Sequence, residues 1–406
     1  MNDTPWNPPR AGTGDGPVQE QEPTLPFGVN VIGYISGALG LGVAARLTVQ
    51  ALLDNGVPVA LIDVNLGERS LHDLRFQHLH IKQQSSSLPH RCSIFHLNTR
   101  EAAAFRASYP GWFVDSFNVV VPFWELDQPP ADWLPMLDQF DLVLASSHFL
   151  AATLAGKCSA PVRHYPLGVA LEPYTDAATV RTQIAIPQDA FVVYSNFDGD
   201  SGINRKNPEG NLRAFLAAFG QSSKAHLILK INSDKEPPAP QTALLSRARS
   251  MPNITVIDHR LPYAAVLGLV NAADAYLSLH RAEGLGLGVL EAMTLGKPVV
   301  TTGWSGVMDF VDESNALPVR FVRTPVVDAH REYQAMRTRE PAMWAEPDVE
   351  HASRMLRLLA EDPALRRKLG ERARETAADR NRRFFAGDAF RPLRAAFEIW
   401  QRERAP

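Results

Sequence analysis

Two glutamates, Glu283 and Glu291, bracket a run in which glycine alternates with leucine, within "HRAEGLGLGVLEAMTLGKPVV" from His280 to Val300. Gly284, Gly286 and Gly288 leave the backbone bare. If a helix starts at Gly286 to Gly288, its first N–H groups have no partner within the helix, and its dipole favours an anion. A diphosphate fits such a place. Glu291 then lies about one turn into the helix, where a carboxylate can accept both hydroxyls of a ribose. Glu283, at the other end of the loop, falls where the rest of the ligand should lie. The spacing suits a nucleoside diphosphate carrying a further group. The plain alternative is an ordinary strand-to-helix loop with two surface glutamates, and short glycine motifs do produce false matches. A second cluster, "NRKNPEGNLRAFLAAF", offers Arg205 and Lys206 at the entrance to another helix. Fixed cations aimed at a diphosphate stabilise the negative charge that grows on it when its bond to a substituent breaks. With such cations in place no metal ion or other cofactor is required.

These groups need elements to hold them. "FGVNVIGYI", the glycine loop "SGALGLG", an amphipathic helix, an Asn-Gly stop and "VPVALIDV" make one strand–helix–strand unit. Such units imply a parallel sheet with crossover helices. Strands are expected again at "CSIFHLN", "SFNVVVPFW", "FDLVLASS" and "VRHYPLG". After a looser stretch the alternation restarts with "FVVYSNF", "AHLILKIN", "ITVIDHR", "AYLSLH" and "KPVVTTG", with helices between them. The expected architecture is α/β, with two doubly wound, Rossmann-like domains facing across a cleft, since open parallel sheets bind ligands at the carboxyl ends of their strands. The divisions are a disordered tail (1–26), a first Rossmann-like domain (27–168), a linker (169–188), a second Rossmann-like domain (189–380) that carries the candidate diphosphate site, and a C-terminal helical segment (381–406) that packs back on the first.

Composition narrows the class. The 406 residues exceed one ordinary core. A net charge of −3 excludes a basic nucleic-acid binder. Two cysteines, without CxxC spacing, argue against a disulfide framework or a zinc site and for a reducing compartment. No apolar run reaches the ~20 residues of a membrane helix. The polar, proline-rich start lacks the pattern of a signal peptide, so a cytoplasmic location is expected. The basic C-terminal segment reads as a solvated helix face, with contact to an anionic membrane surface as the lesser alternative.

"HRAEGLGLGVLEAMTLGKPVV" resembles the E-x7-E signature of retaining family 4 glycosyltransferases, which have the GT-B fold. "TTGWSGVMDFV", "GYISGALGLGVAARLTVQALLDNGVPV" and "NRKNPEGNLRAFLAAF" resemble further family blocks in the same order. "FWELDQPPADWLPMLDQFDLVLASSHF" resembles the bacterial polysaccharide branch. The resemblance runs from about Phe27 to the end. It implies that Glu283 contacts the donor sugar, Glu291 the ribose, and Lys206, with Arg205 beside it, the diphosphate. It brings Gly37, Gly40 and Gly42 to the donor from the first domain. It brings Gly284, Gly286, Leu287, Gly288, Ser305 and Gly306 to the donor from the second. His96, Asn98, Trp124 and Glu125 are its candidates for contact with acceptor or donor, although a strand histidine such as His96 is more often a core residue.

The implied reaction is retaining, metal-independent hexosyl transfer, mannosyl or glucosyl, with GDP-mannose or a UDP-hexose such as UDP-glucose as donor. The acceptor is a saccharide or lipid-linked intermediate of a bacterial surface polysaccharide, which brings the enzyme to the inner face of the membrane. The chain also departs from the family. "NFDGDSG" lacks an arginine that many members carry after the first strand of the second domain. Asn98 stands where many have histidine, and Val307 where the branch usually has a polar residue.

Two other classes fit parts of the chain. "GALGLG" followed by Asp63 imitates a dinucleotide fingerprint, but its G-x-x-G-x-G spacing is reversed and it leaves the second domain unexplained. A non-catalytic nucleotide-sugar-binding scaffold is the other. Asp198 and Asp200 imitate a metal-binding D-x-D, and a turn favouring Asp and Gly accounts for them as well.

Overall fold

The computed structural model describes residues 27–37, 39–64, 75–81, 87–199, 201–232, 239–327, 333 and 340–404. The expected tail (1–26) and Asp200 lie outside the described residues.

The first domain alternates strands and helices: β1 (Val29–Gly33), α1 (Gly40–Asp54), β2 (Val59–Asp63), β3 (Cys92–His96), α2 (Thr99–Ser108), β4 (Phe117–Val120), α3 (Trp133–Leu137), β5 (Leu142–Ala145), α4 (His148–Leu154) and β6 (Val162–His164). After α5 (Ala177–Gln183), the second domain runs β7 (Phe191–Asp198), α6 (Ile203–Lys206), α7 (Pro208–Phe219), β8 (Ala225–Asn232), α8 (Ala239–Arg249), β9 (Ile254–Ile257), α9 (Tyr263–Ala272), β10 (Ala275–Ser278), α10 (Leu287–Thr294), β11 (Val299–Thr302) and β12 (Leu317–Val319). A hairpin of β13 (Phe321–Pro325) and β14 (Met343–Pro347) follows, then α11 (Val349–Glu361), α12 (Pro363–Phe385) and α13 (Arg391–Glu403).

Each domain is built on a six-stranded sheet, ordered β2-β1-β3-β4-β5-β6 in the first and β12-β11-β10-β7-β8-β9 in the second. All paired strands in both sheets are parallel. The central strands β1, β3 and β4 are buried at every position, as strands covered by helices on both faces must be. The strand order reverses beside β1 and again beside β7, so each sheet has a switch point at its carboxyl edge. The architecture is the doubly wound pair expected from the alternation. The hairpin β13–β14, antiparallel and separate from both sheets, was not among the expected elements.

Helix α12 starts on the second domain, packs against α10, and runs without a break through residue 380 to α1 of the first. It lies beside the other crossing between domains: Val169 N–H donates to Asn381 Oδ1 at 2.9 Å, and Arg380 Nε donates to Leu167 O at 2.9 Å. There is no room between them, because a Cβ on Gly168 would come within 3.0 Å of Phe384. The last helix, α13, is strongly amphipathic. Its Phe397 meets Phe27 and Phe117 at 5.4 and 5.8 Å between ring centres. Trp400 stacks on Phe397 and takes the Arg91 guanidinium on its ring.

Trp400 is nearly buried at 5% exposure. Its replacement leaves a large cavity between α13 and β4. Trp400→Ala should lower stability by about 3 kcal/mol, read as a shift of the urea midpoint at unchanged slope; an unchanged midpoint would mean that α13 contributes nothing to the first domain.

Candidate functional site

The loops at the carboxyl edges of the two sheets meet. From the second domain, β10 leads into residues 279–286 and α10. Gly286 caps α10 in the left-handed region at φ 88°, and a Cβ there would lie 2.5 Å from Val307 Cγ1. Val307 is fully buried, so the residue where the resemblance expects a polar group fills the space beneath this glycine. The turn after β11 packs still closer. Gly306 N–H donates to Glu283 O at 2.9 Å, and Ser305 Oγ accepts from Glu283 N–H at 2.9 Å. A Cβ on Gly306 would come within 2.1 Å of Gly284 O, so only glycine fits. Ser305 holds φ 71° without being glycine, a conformation that surrounding contacts must impose. Gly284 in turn faces the first domain: its carbonyl accepts from Ser147 Oγ at 2.5 Å, and a Cβ on it would meet Trp124 O at 2.9 Å. Asp309 extends the contact, accepting from His148 N–H at the start of α4 and from His164 Nε2 at 2.9 Å.

Glu283 sits between two cations. Lys206 Nζ donates to Oε1 at 2.6 Å, and Arg205 Nη1 lies 3.3 Å from Oε2. Both cations come from α6, a single turn with left-handed residues at each end, Gly202 at φ 57° and Asn207 at φ 52°. That tight geometry turns two adjacent side chains toward one carboxylate. Burial alone would raise the Glu283 carboxyl, but Lys206 and Arg205 outweigh it and hold it at about 2. Arg205 is almost fully buried and also donates to Ala282 O and Ser201 Oγ, with Glu125 at 3.6 Å. Its guanidinium is committed within the protein. Lys206 is more exposed and keeps donor capacity for a ligand.

Glu291, one turn into α10, has the opposite setting. Its Oε1 accepts from Tyr263 Oη at 2.8 Å, and no cation is paired with it among the described residues. Burial pushes its carboxyl up to about 7, against the pull of that hydrogen bond. At the same helix start, Gly288 lies against Tyr276 and Asn196, which are joined by a 2.6 Å hydrogen bond. His280 is driven down to about 4 by burial, so it is neutral at pH 7, and its Nε2 donates to Trp304 O at 3.3 Å.

In the first domain, Gly37, Gly40 and Gly42 surround the start of α1, and Arg46 Nη1 ties the loop by donating to Ile35 O and Gly37 O at 2.7 and 3.0 Å. Asp63 accepts from Ser36 Oγ and N–H, so its carboxylate braces this loop. His96 ends β3 beside Gly33, fully buried, with neither ring nitrogen bonded among the described residues; burial lowers it to about 3. Asn98 is the N-cap of α2, its N–H held by Glu101. Trp124 is a packing residue: its Nε1 donates to Gln128 O and its ring lies on Trp133. Glu125 accepts from Tyr333 and faces Arg205.

Residues that carried no signal in the sequence complete the site. Arg281 donates to both Glu346 oxygens on β14, at 2.5 and 3.0 Å, and to Asn204 O at 2.5 Å. It thereby braces α6 against the hairpin. Asp127 holds the same hairpin through Arg323 and the Met343 N–H. Tyr263, the first residue of α9, belongs with them, since it bonds Glu291 and carried no signal of its own.

Residues 202–328 match the family model of group 1 glycosyl transferases. The solved structures show the same architecture. The fold is GT-B. Sucrose-phosphate synthase from Thermosynechococcus elongatus superposes with a TM-score of 0.68 at 18% identity, over 91% of this chain and 100% of that one. HepE from Anabaena, solved with UDP-glucose, gives 0.64 at 13% identity, over 91% and 100%. A glycosyltransferase from Rickettsia africae gives 0.59 at 15%, over 93% and 99%. No curated protein matches the chain in sequence. The match to the family model thus falls on the GT-B domain that contributes α6, both glutamates and the Ser305–Gly306 turn.

The two glutamates should respond oppositely to pH. A carboxyl raised by folding contributes stability below its unfolded value near 4.5, and that contribution is lost as pH rises through about 7. Glu291→Gln should match the wild type at pH 4.5 and exceed it at pH 8 by on the order of 3 kcal/mol. Denaturant midpoints across that range check it; a constant difference between the two proteins would contradict the shift.

Proposed function

We propose that the protein is a glycosyltransferase that moves a hexosyl group from a nucleotide-diphosphate sugar to a saccharide or lipid-linked acceptor, with retention at the anomeric carbon. The observation that carries this reading is the convergence of Lys206, Glu283 and the start of α10 at the carboxyl edge of the sheet matched by the glycosyltransferase family model. The diphosphate lies against the first N–H groups of α10 and the Lys206 ammonium, with the ribose hydroxyls on Glu291 and the sugar hydroxyls on Glu283. The bond from the anomeric carbon to the phosphate oxygen breaks, and the acceptor oxygen bonds the same face. The acceptor's proton passes to the departing phosphate oxygen. Charge builds on the diphosphate, where preorganised cations and N–H dipoles lower the barrier. The chain supplies those cations, so the reaction is metal-independent. UDP-hexoses and GDP-mannose are the donors proposed, and HepE, solved with UDP-glucose, supports the first class. An acceptor in bacterial surface polysaccharide synthesis places the enzyme in the cytoplasm, at the inner face of the membrane.

Turnover of UDP-glucose, GDP-mannose and ADP-glucose, with and without EDTA, tests the reading. Nucleotide binding without transfer or hydrolysis of any donor would make the protein a binding scaffold instead. With an active donor, Glu291→Ala should weaken binding of the free nucleoside diphosphate, because the ribose loses its acceptor. Glu283→Ala should lower turnover with little loss of nucleotide affinity; equal losses of affinity in both variants refute that division.

Lys206 should act mainly in the transition state. A cation facing charge that grows on the leaving group is worth ~3 kcal/mol, or ~100-fold in rate. Lys206→Ala should cut kcat by about that factor at saturating donor, whereas near-full kcat would show that the diphosphate lies elsewhere.

A further inference from the structure

One cation of the second domain takes no part in the site as described. Lys230 lies on β8 and is only 2% exposed. Among the described residues its ammonium meets a single acceptor, the carbonyl of Ile231 at 2.7 Å. A buried ammonium has three donors to satisfy, and one neutral carbonyl is poor compensation for its lost hydration. No carboxylate is bonded to it among the described residues. Burial pulls it down to about 8 and Arg260 pushes the same way, while Asp198 and Asp258 oppose them. Lys230 and Arg260 thus share the carboxyl edge of the sheet with Asp198 and Asp258, where doubly wound domains bind their ligands.

The sheet register shows which ligand Lys230 faces. Lys230 pairs with Asn196 on β7, and register partners in neighbouring strands project to the same face. Asn196 bonds Tyr276 at 2.6 Å, and its Oδ1 lies 3.3 Å from where a Cβ on Gly288 would stand. Ile228, two residues before Lys230, belongs to the same packed cluster as Tyr194, Tyr276 and the α10 residue Val289, whereas Leu227 and Leu229 pack on the opposite side. Lys230 thus lies on the face covered by α10, next to the strand that meets that helix's first turn. On its other side it pairs with Ile257 of β9, which leads to Arg260. The lysine stands between the start of α10 and the β9–α9 loop. A doubly charged ligand there satisfies an ammonium that, among the described residues, meets one carbonyl.

We propose that Lys230 binds the diphosphate of the donor, adding from β8 a cation to the one Lys206 brings from α6. The assignment rests on the reading of this domain as a nucleotide-sugar site. Arg205 cannot fill the role, because its guanidinium is held by Glu283, Ala282 and Ser201.

Calorimetry with UDP, GDP and ADP, and with the corresponding nucleosides, tests the proposal on wild type, Lys230→Met and Lys230→Gln. Removing a charge-assisted hydrogen bond should weaken the diphosphate by about tenfold or more. The nucleoside affinity should stay unchanged, and the melting temperature of the free protein should stay level or rise, since a poorly compensated buried charge has gone. Equal weakening of diphosphate and nucleoside would place Lys230 at the base and overturn the assignment. Unchanged diphosphate affinity, or two variants that fail to fold, would make Lys230 structural and overturn it as well. A wild type that binds none of the three diphosphates removes the nucleotide-site reading itself, and the assignment with it.

Discussion

A carboxylate held between two cations organises the candidate site. Glu283 meets Lys206 at 2.6 Å and Arg205 at 3.3 Å, in a place closed enough that each charge needs the others. Removing one member leaves an uncompensated charge in a region of low polarisability, where such losses are severe. The two cations are not equivalent. Arg205 is locked by carbonyl, hydroxyl and carboxylate partners and fixes the position of Glu283. Lys206, with more exposure, remains able to exchange its partner for a ligand. The arrangement separates a rigid support from an adaptable contact within two consecutive residues.

The same carboxylate links the domains. Its own N–H and carbonyl are held by Ser305 and Gly306, and the next residue, Gly284, is gripped by Ser147 and lies on the backbone of Trp124. Four residues beyond Ser305 on the same short turn, Asp309 caps α4. A displacement of the first domain is therefore felt at Glu283 through backbone contacts too close to yield. The hairpin adds a second route, from Asp127 through β14 and Arg281 to the carbonyl of Asn204 in α6.

Much of the fold was legible because buried parallel strands are short apolar runs and their crossovers show helical periodicity. The glycine run was legible for a different reason: Gly286 needs a left-handed backbone, and Gly306 has no space for a side chain. What the sequence did not show was pairing at long range. Glu283 and Lys206 are 77 residues apart and were assigned to different parts of the ligand, with no sign that they bond each other. Arg205 was expected beside Lys206 at the diphosphate; the left-handed residues flanking α6 instead turn both side chains toward Glu283. Arg281 gave no signal because its function depends on Glu346, 65 residues away on a hairpin too weakly patterned to read. Lys230 gave no signal beyond its place in a strand, because its burial depends on helices far away in sequence.

The two crossings between the domains run side by side. Val169 is bonded to Asn381, Arg380 to Leu167, and Gly168 leaves no gap against Phe384. Two parallel connections stitched along one line act as a door hinge. They resist twisting and sliding, because either movement would stretch one connection against the other, and they leave rotation about the shared line as the soft motion. The contact of Asp309 with His148 and His164 belongs to the hinge side, since Arg380 also donates to Ser146 O and its guanidinium lies on the Phe310 ring. Entry and exit of a bulky ligand then fall away from that side, and a mechanical load separating the domains would part the contacts remote from the hinge first while the hinge line stayed closed.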